Sequence, residues 1–340
     1  MNVLVPVSDR TLIPRYLRAG VEEFCLGFRD PAWYERFGET VRFDCTRGFW
    51  ERAGLCTFED ALRAVDDVQR LGRELYVVFS REAYSKSQLD YLYGYFEQLH
   101  DIGATGVVVS APEAIEAAAD SGLSVMASET CNVCNVDIAR FYRDLGCTHV
   151  LFPHDLSLAE IEAIVDAEPA LDYGVPLMSA RCSLEECLCP EGYFQNRDVP
   201  CWDQCYVERL FDVTGGSRRF GETVRENNDS YRSFHSSSCG LCALFRLLHA
   251  GISTAGVIGR ADDPEDVLHD IESVIENAEI AGTCADEREF LERMHLPYGE
   301  ADVCDGGRGC RYPEVRFPRM AYRPPWLIDM LGDRLPAARS

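Results

Sequence analysis

Residues 103–128 read GATGVVVSAPEAIEAAADSGLSVMAS and contain two short apolar runs, 106–109 and 124–127, on either side of a longer helical pattern. Short apolar runs separated by a helical pattern are typical of parallel strands joined by a crossover helix. This stretch therefore predicts one β–α–β unit.

The same alternation continues in both directions along most of the chain. It favours a parallel α/β architecture over a β-sandwich or a helix bundle. The candidate strands number eight, which is the number that closes a TIM-like (β/α)8 barrel. They are residues 3–7, 23–26, 75–79, 106–109, 124–127, 149–152, 173–178 and 254–258.

Helix starts can also be located between these strands. Thr57 with Asp60, and Ser157 with Glu160, have the spacing of capping boxes, and apolar residues at helical spacing follow each box. We expect these apolar faces, and those of two later stripes, to form part of the core. The later stripes are 241–248 and 267–275.

Composition limits the classes of partner. The 340 residues are 46% hydrophobic, which is enough for a large core without disulfide support. They carry 57 acidic and 33 basic side chains, for a net charge of −24. Most of the surface should therefore repel phosphate backbones and anionic membranes, so nucleic acid is an unfavourable partner.

The amino terminus, MNVLVPVSDR, has no basic segment ahead of a long apolar run, and no stretch approaches the length of a membrane span. The chain contains sixteen cysteines. Without an export signal, such thiols are expected to be reduced or to bind metal rather than to form a disulfide framework. The expected compartment is the cytoplasm.

Two regions interrupt the alternation. Residues 182–240 form a long polar insertion that would leave the carboxyl end of strand seven, the face where barrel enzymes carry their chemistry. Residues 283–340 form a short C-terminal extension, and the sequence thus predicts a barrel over 1–282 followed by that extension. The extension carries three cysteines, Cys284, Cys304 and Cys310.

Seven cysteines fall in the insertion or at the start of the helix after it. Clustering on one loop indicates a metal site, and thiolate sulfur suits iron–sulfur clusters as well as zinc. Among these seven cysteines, only the pair in CGLC has the two-residue spacing of a zinc knuckle. The others would have to come from separate turns, which favours an iron–sulfur cluster over zinc. Buried free thiols are the alternative. The seven are Cys182, Cys187, Cys189, Cys201, Cys205, Cys239 and Cys242.

A second pair, Cys131 and Cys134, forms an isolated C-x-x-C after the fifth candidate strand. A thioredoxin-like role would need a different fold around this pair. We therefore interpret these residues as structural thiols, with redox activity as the less favoured alternative.

Common catalytic motifs are absent: the sequence has no G-x-S-x-G, no H-E-x-x-H, no Walker loop and no dinucleotide-binding glycine pattern.

Polar residues instead follow the candidate strands and would converge on one mouth of a barrel. Arginines there can clamp a carboxylate, and Glu129 or His154 can move protons. Each residue alone could equally be a solvated loop end. The carboxylate of Asp155 could instead interact favourably with the dipole at the N-terminus of the next helix. The set is Ser8, Arg29, Ser80, Ser110, Glu129, His154, Asp155, Arg181 and Arg260.

From about residue 3 to about residue 282, the chain resembles the U32 family of collagenase-like peptidases. The order and the spacing of the similar segments agree along most of the chain. They are LVPVSD (4–9), LRAGVEEFCLG (17–27), SETCNVCNVDIARFYRDLG (128–146), VLFPHDLSLAEI (150–161), MSARC (178–182), CWDQC (201–205), GLCALFRLLHAGI (240–252) and GVIGR (256–260).

The resemblance implies a barrel-like fold. In several branches it also implies a four-cysteine iron–sulfur cluster that serves oxygen-independent hydroxylation in ubiquinone biosynthesis or the hydroxylation of RNA bases, whereas other members are proteases. Matched motif by motif, the ligands here would be Cys182, Cys201, Cys205 and Cys242. Cys45 is an alternative fourth ligand, and further reserves are Cys187, Cys189 and Cys239.

The chain also departs from the family pattern. Val175 stands where the family often has an earlier cysteine, and His154 and Asp155 stand where it has arginine and glutamate. Before Arg260, the chain has Gly256 and Ile258 in place of lysine and glutamate, which implies a different substrate. The acidic composition argues against the RNA-modifying branch. No family counterpart can be assigned to Cys304 and Cys310.

The sequence thus predicts a cytoplasmic barrel that binds one iron–sulfur cluster (4Fe–4S) and acts on a small-molecule substrate by a redox or hydroxylation-like reaction. Arg181 and Arg260 would orient an anionic group, and Glu129 or His154, beside Asp155, would transfer protons. The alternatives are a U32-type peptidase and a non-catalytic scaffold with structural zinc. A homologous partner subunit is compatible with each.

Overall fold

Eight parallel strands form a closed barrel in chain order, which confirms the predicted TIM-like fold. The computed structural model describes residues 1–7, 9–38, 57–179, 238–259, 263–297 and 310–316. The strands are β1 (Asn2–Val7), β2 (Glu23–Leu26), β3 (Glu74–Phe79), β4 (Gly106–Val109), β5 (Ser124–Ala127), β6 (His149–Leu151), β7 (Asp172–Ser179) and β8 (Thr254–Ile258).

Helices follow the strands and cover the outside of the barrel. Among the described helices, none combines the length and the apolar composition that a membrane crossing needs. They are α1 (Ile13–Ala19), α2 (Pro31–Phe37), α3 (Phe58–Gln69), α4 (Lys86–Asp101), α5 (Pro112–Asp120), α6 (Val136–Asp144), α7 (Leu158–Ala167), α8 (Leu244–His249), α9 (Pro264–Thr283), α10 (Glu287–Arg293) and α11 (Pro313–Arg316).

Both predicted capping boxes are present. The Asp60 amide donates to Thr57 Oγ1 over 3.2 Å, and the Thr57 amide donates to Asp60 Oδ2 over 3.1 Å. At the start of α7, the Ser157 amide donates to Glu160 Oε2 over 2.8 Å. These bonds satisfy amide groups that have no partner within the helix, so each helix begins where the sequence predicts.

Two layers of apolar side chains build the core. Alternate strand residues such as Val5 and Val107 face the helices and are completely buried. The intervening residues point into the barrel, where they form a smaller separate cluster. That cluster consists of Leu4, Tyr76, Val78, Val108, Met126 and Leu151.

The amino end of the barrel contains a buried carboxyl group. Asn2 Nδ2 donates to Glu23 Oε1 over 2.6 Å, and Thr254 Oγ1 donates to Glu23 Oε2 over 3.1 Å. These bonds link β1, β2 and β8 where the barrel closes. Burial raises the pKa of Glu23 above its ordinary value, although both hydrogen bonds oppose that shift.

A C-terminal segment, residues 310–316, returns to the carboxyl end of the barrel. Cys310 pairs with Cys239 in a β-bridge, and Cys239 pairs in turn with Met178 of β7. The Leu158 amide, at the start of α7, donates to Glu314 Oε1 over 2.9 Å. The segment therefore packs beside β7 and α7, while the division into domains 1–282 and 283–340 stays a prediction.

A candidate active site at the carboxyl end of the barrel

The described residues include eight of the predicted site residues, and all of them follow strands or lie just before α8, on the carboxyl side of the barrel. They are Arg29, Ser80, Ser110, Glu129, His154, Asp155, Cys239 and Cys242. The other predicted site residues lie outside the described ranges, and their roles stay predictions. These are Ser8, Cys45, Arg181, Cys182, Cys187, Cys189, Cys201, Cys205 and Arg260.

Glu129 lies at the end of a chain of hydroxyl groups that follows β4 and β5. Ser110 Oγ lies 2.5 Å from Thr130 Oγ1, which donates to Ser128 Oγ over 3.3 Å, and Ser128 Oγ donates to Glu129 Oε2 over 3.2 Å. The three hydroxyl residues are buried, whereas Glu129 is partly exposed. The carboxylate is therefore oriented by a buried donor and keeps contact with solvent.

Backbone geometry places this carboxylate. Ser128 caps a single 3-10 turn, Glu129–Cys131, by accepting a hydrogen bond from the Thr130 amide. Asn132 ends the turn in the left-handed region at φ 49°, which asparagine adopts more readily than most residues. The cap and the left-handed residue thus fix the backbone of the turn that carries Glu129.

His154 and Arg311 form a buried contact after β6. The exposed fraction is 7% for His154 and 5% for Arg311. Arg311 Nη1 is within hydrogen-bonding distance of His154 Nδ1. Asp155, by contrast, is exposed in the turn before α7, whose N-cap is Ser157.

Three buried thiols lie together at the end of β7: Cys239, Cys242 and Cys310. Cys242 and Cys310 are in side-chain hydrogen-bonding contact, which together with burial raises the pKa of Cys242. The same hydrogen bond lowers the pKa of Cys310, and the nearby Arg316 acts in the same direction. The opposite directions of these two shifts favour Cys242 as the donor and Cys310 as the acceptor of their hydrogen bond.

The chemistry of these donors fits part of a soft-metal ligand set, since thiolate sulfur binds iron–sulfur clusters and zinc. Within the described ranges, however, no group of three or more histidine, cysteine, aspartate or glutamate side chains is placed to hold a metal ion. The Cys242–Cys310 pair would therefore need ligands from elsewhere in the chain.

Gly240, between the two cysteines of CGLC, allows the C-terminal segment to approach. A Cβ at this position would lie 2.9 Å from Leu177 Cδ1 and 3.1 Å from Tyr312 Cε2. The Gly240 amide also donates to the Leu177 carbonyl over 2.8 Å. The glycine is thus required where β7 and the segment 310–316 pack against the same loop.

Cys310 and Arg311 are the members of this group that sequence reasoning missed. The motif CDGGRGC marked Cys310 as unusual, but neither its spacing nor the family resemblance indicated a contact. Arg311 gave no signal, because its partner is 157 residues away in the sequence.

The isolated C-x-x-C pair lies apart from this thiol group. Cys131 Sγ is 3.5 Å from the carbonyl oxygens of both Val109 and Ser110, and burial raises its pKa to about 12. Cys134 is exposed. A thiol that stays protonated is a poor nucleophile, so the geometry favours the structural interpretation.

Comparisons with known proteins give one family and several distantly similar solved structures. A model of peptidase family U32 matches residues 47–287. No curated protein matches the chain. Among solved structures, a U32 peptidase aligns with a TM-score of 0.47 and 13% identity over 62% of this chain and 84% of its own. Thiamine phosphate pyrophosphorylase from Pyrococcus furiosus aligns with a TM-score of 0.43 and 12% identity over 82% and 96%.

Proposed function

Because the chain belongs to peptidase family U32, whose model matches more than half of it, we propose that it is an iron–sulfur enzyme of this family. Its reaction would be a redox or oxygen-independent hydroxylation step on a small organic molecule. The proposed ligands are Cys242 and three cysteines outside the described residues: Cys182, Cys201 and Cys205.

The observation that carries this proposal is the buried contact between Cys242 and Cys310. Free cysteines are common in protein cores, but two buried thiols in contact can supply part of the donor set of a soft-metal site. The contact also makes Cys310 a second candidate for the fourth ligand position, beside Cys242.

The position of the thiols supports a catalytic role over a purely structural one. Cys239 pairs with Met178, so the thiols lie at the carboxyl end of β7. Active sites of (β/α)8 enzymes lie on this face, which Glu129 and His154 share. A metal bound here would be next to the side chains that can contact a substrate.

The chain's own residues would then divide the work. A bound cluster supplies one-electron transfer. Glu129 accepts a proton from the substrate, since its carboxylate is partly exposed and is held by Ser128. Arg181 and Arg260, outside the described ranges, would orient an anionic group.

Anaerobic metal analysis of the full-length protein tests this function. We expect a brown protein with about four iron and four sulfide per chain. Cys242→Ser should lower the iron content, and Cys310→Ser is compared with it. Cys147→Ser is the matched control, because Cys147 is also a buried thiol but lies just before β6, at the opposite end of the barrel.

Other results would favour the alternatives. Colourless protein with stoichiometric zinc would support a non-catalytic scaffold. Cleavage of denatured collagen by metal-free protein, abolished by one serine or cysteine substitution, would support the peptidase. Wild-type protein that holds no iron after anaerobic reconstitution contradicts the proposal.

A further inference from the structure

The contact between Cys242 and Cys310 joins two thiols that are far apart in the sequence. Sixty-eight positions separate them along the chain. Both are buried, with exposed fractions of 5% and 3%, and their side chains are in hydrogen-bonding contact. The structure holds both as reduced thiols. The fold thus brings a thiol pair together at the carboxyl end of β7.

Backbone contacts hold each sulfur in place from its own side. Cys310 pairs with Cys239 in a β-bridge, and the Arg311 amide donates to the Cys239 carbonyl over 3.0 Å. Cys242 lies in the 3-10 turn Leu241–Ala243, directly before α8. Disulfide formation requires the two sulfurs to approach to about 2 Å. Because they are already in contact, only a short movement separates the thiol pair from a disulfide.

We propose that Cys242 and Cys310 are a redox-modification site, at which hydrogen peroxide joins the two sulfurs in a reversible disulfide. The peroxide oxidises one thiol to a sulfenic acid, and one water leaves. The second thiol then attacks the sulfenic sulfur, the S–S bond forms and a second water leaves. The two sulfurs lose two electrons in total, and these reduce the O–O bond of the peroxide.

Burial of the pair favours the disulfide over other products of oxidation. A sulfenic acid that contacts solvent is oxidised further or captured by an external thiol. At this site solvent is nearly excluded, and the second sulfur is already in contact with the first. The internal thiol therefore reacts ahead of groups from outside.

Cys239 is a third buried thiol beside the pair and the nearest competitor for the bond. Its pairing with Cys310 is a backbone β-bridge. The side-chain hydrogen bond of Cys310 is made instead with Cys242. We therefore assign the disulfide to Cys242 and Cys310.

The disulfide fastens residues 310–316 to the barrel. The hydrogen bond from the Leu158 amide to Glu314 is one of the noncovalent contacts that hold this segment in the reduced protein. A cross-link over sixty-eight positions restricts the unfolded chain and stabilises the folded one. A disulfide sulfur also has no thiolate with which to bind metal. Oxidation therefore removes Cys242 from the cluster ligands, a consequence that rests on the proposed function, whereas the disulfide itself does not.

Peptide mapping of the full-length protein tests the proposal. The protein is reduced, separated from the reductant, treated with hydrogen peroxide and alkylated before digestion with trypsin. Trypsin cleaves after arginine, so Cys310 is released in peptide 309–311 and Cys242 in peptide 233–246. We expect the oxidised wild type to give these two peptides as one linked species, which a reductant separates. Oxidation should also raise the melting temperature by a few degrees.

Three variants identify the two sulfurs. Cys242→Ser and Cys310→Ser should abolish both the linked species and the rise in melting temperature. Cys239→Ser is the matched control, because it removes the neighbouring buried thiol and should retain both effects. Cys239 and Cys242 share one peptide, so fragmentation of the linked species between them assigns the bond even where a variant does not fold.

An oxidised wild type in which peptide 309–311 stays unlinked overturns the proposal. A bond from Cys310 to Cys239, or to peptide 294–308, which contains Cys304, overturns it as well. Iron content is read from the same preparations before oxidation. Iron-free wild type that forms the disulfide contradicts only the proposed function, whereas iron-containing wild type that forms none contradicts only the inference.

Discussion

The side chains at the carboxyl end of the barrel differ in how much water they contact, and this difference divides their roles. Cys242, Cys310 and His154 are buried, so a charge on any of them needs a compensating partner. Glu129, by contrast, is partly exposed to solvent. In the proposed function, acid–base work therefore falls to Glu129, and metal binding to the buried thiols.

Gly240→Ala tests the packing of the C-terminal segment at a single residue. The new Cβ would be 2.9 Å from Leu177 Cδ1, so we expect a loss of about 1–3 kcal/mol in the free energy of unfolding and faster proteolysis near residues 310–316. Urea denaturation and limited proteolysis measure these effects. Gly94→Ala is the control, because no atom lies within 4 Å of its added Cβ. Equal stability of Gly240→Ala and wild type contradicts the packing described here.

Glu23 gives a prediction about pH. Its pKa is raised in the folded protein, so above the ordinary value of 4.5 the folded state keeps a proton that the unfolded state has lost. The free energy of unfolding should therefore fall as the pH rises through this window. Glu23→Gln should remove this component, and denaturation over a pH series checks it. Identical pH profiles for variant and wild type would show that burial of Glu23 does not affect stability.

At the scale of elements, local signals in the sequence predicted the strands and the helix starts. Four candidate strands differ slightly from the observed ones. Residues 3–7, 75–79 and 149–152 differ from β1, β3 and β6 by one residue at one end, and 173–178 is one residue shorter than β7 at each end. The stripe 241–248 predicted one helix, but it begins with a 3-10 turn, Leu241–Ala243, before α8. Apolar periodicity and caps depend on neighbours within a few residues, which is why they can be read from one sequence.

The candidate site was less predictable, for the same reason. Glu129 and His154 could be placed at the mouth because each follows a strand, which is a local property. The partners of His154 and Cys242 come from residues 310–316, more than sixty positions away from either. No periodicity in the sequence encodes a pairing over such a separation, so Cys310 and Arg311 were found only in three dimensions.

Ser157→Ala tests an element that touches the site. Ser157 caps α7, whose first amide also binds Glu314. Loss of the cap should lower the free energy of unfolding by about 1 kcal/mol. Urea denaturation measures the loss, and Ser87→Ala, an exposed position within α4, should cost less. If both substitutions have the same effect, the capping box does not stabilise α7.

For the whole molecule, charge is the dominant property. A net charge of −24 on 340 residues produces repulsion between surface carboxylates that compaction increases. Arginine pairs such as Arg63 with Glu59 and Arg246 with Glu162 relieve it locally. Surface pairs of this kind contribute little individually, so most of the repulsion remains.

Sodium chloride should therefore raise the melting temperature between low salt and about 1 M, where the Debye length falls to roughly 3 Å. Thermal unfolding followed by circular dichroism at several salt concentrations measures the effect. A melting temperature that is unchanged or lower in salt would mean that ion pairs outweigh net repulsion in this protein.

The return of residues 310–316 to the mouth also has a consequence for biosynthesis. Domains commonly fold while the ribosome is still adding residues, and all eight strands precede this segment in the chain. A nascent barrel therefore forms its wall before Arg311 can reach His154 and before Cys310 can reach Cys242. The contacts that residues 310–316 make at this end of the barrel therefore become available only after the strands of its wall have been synthesised.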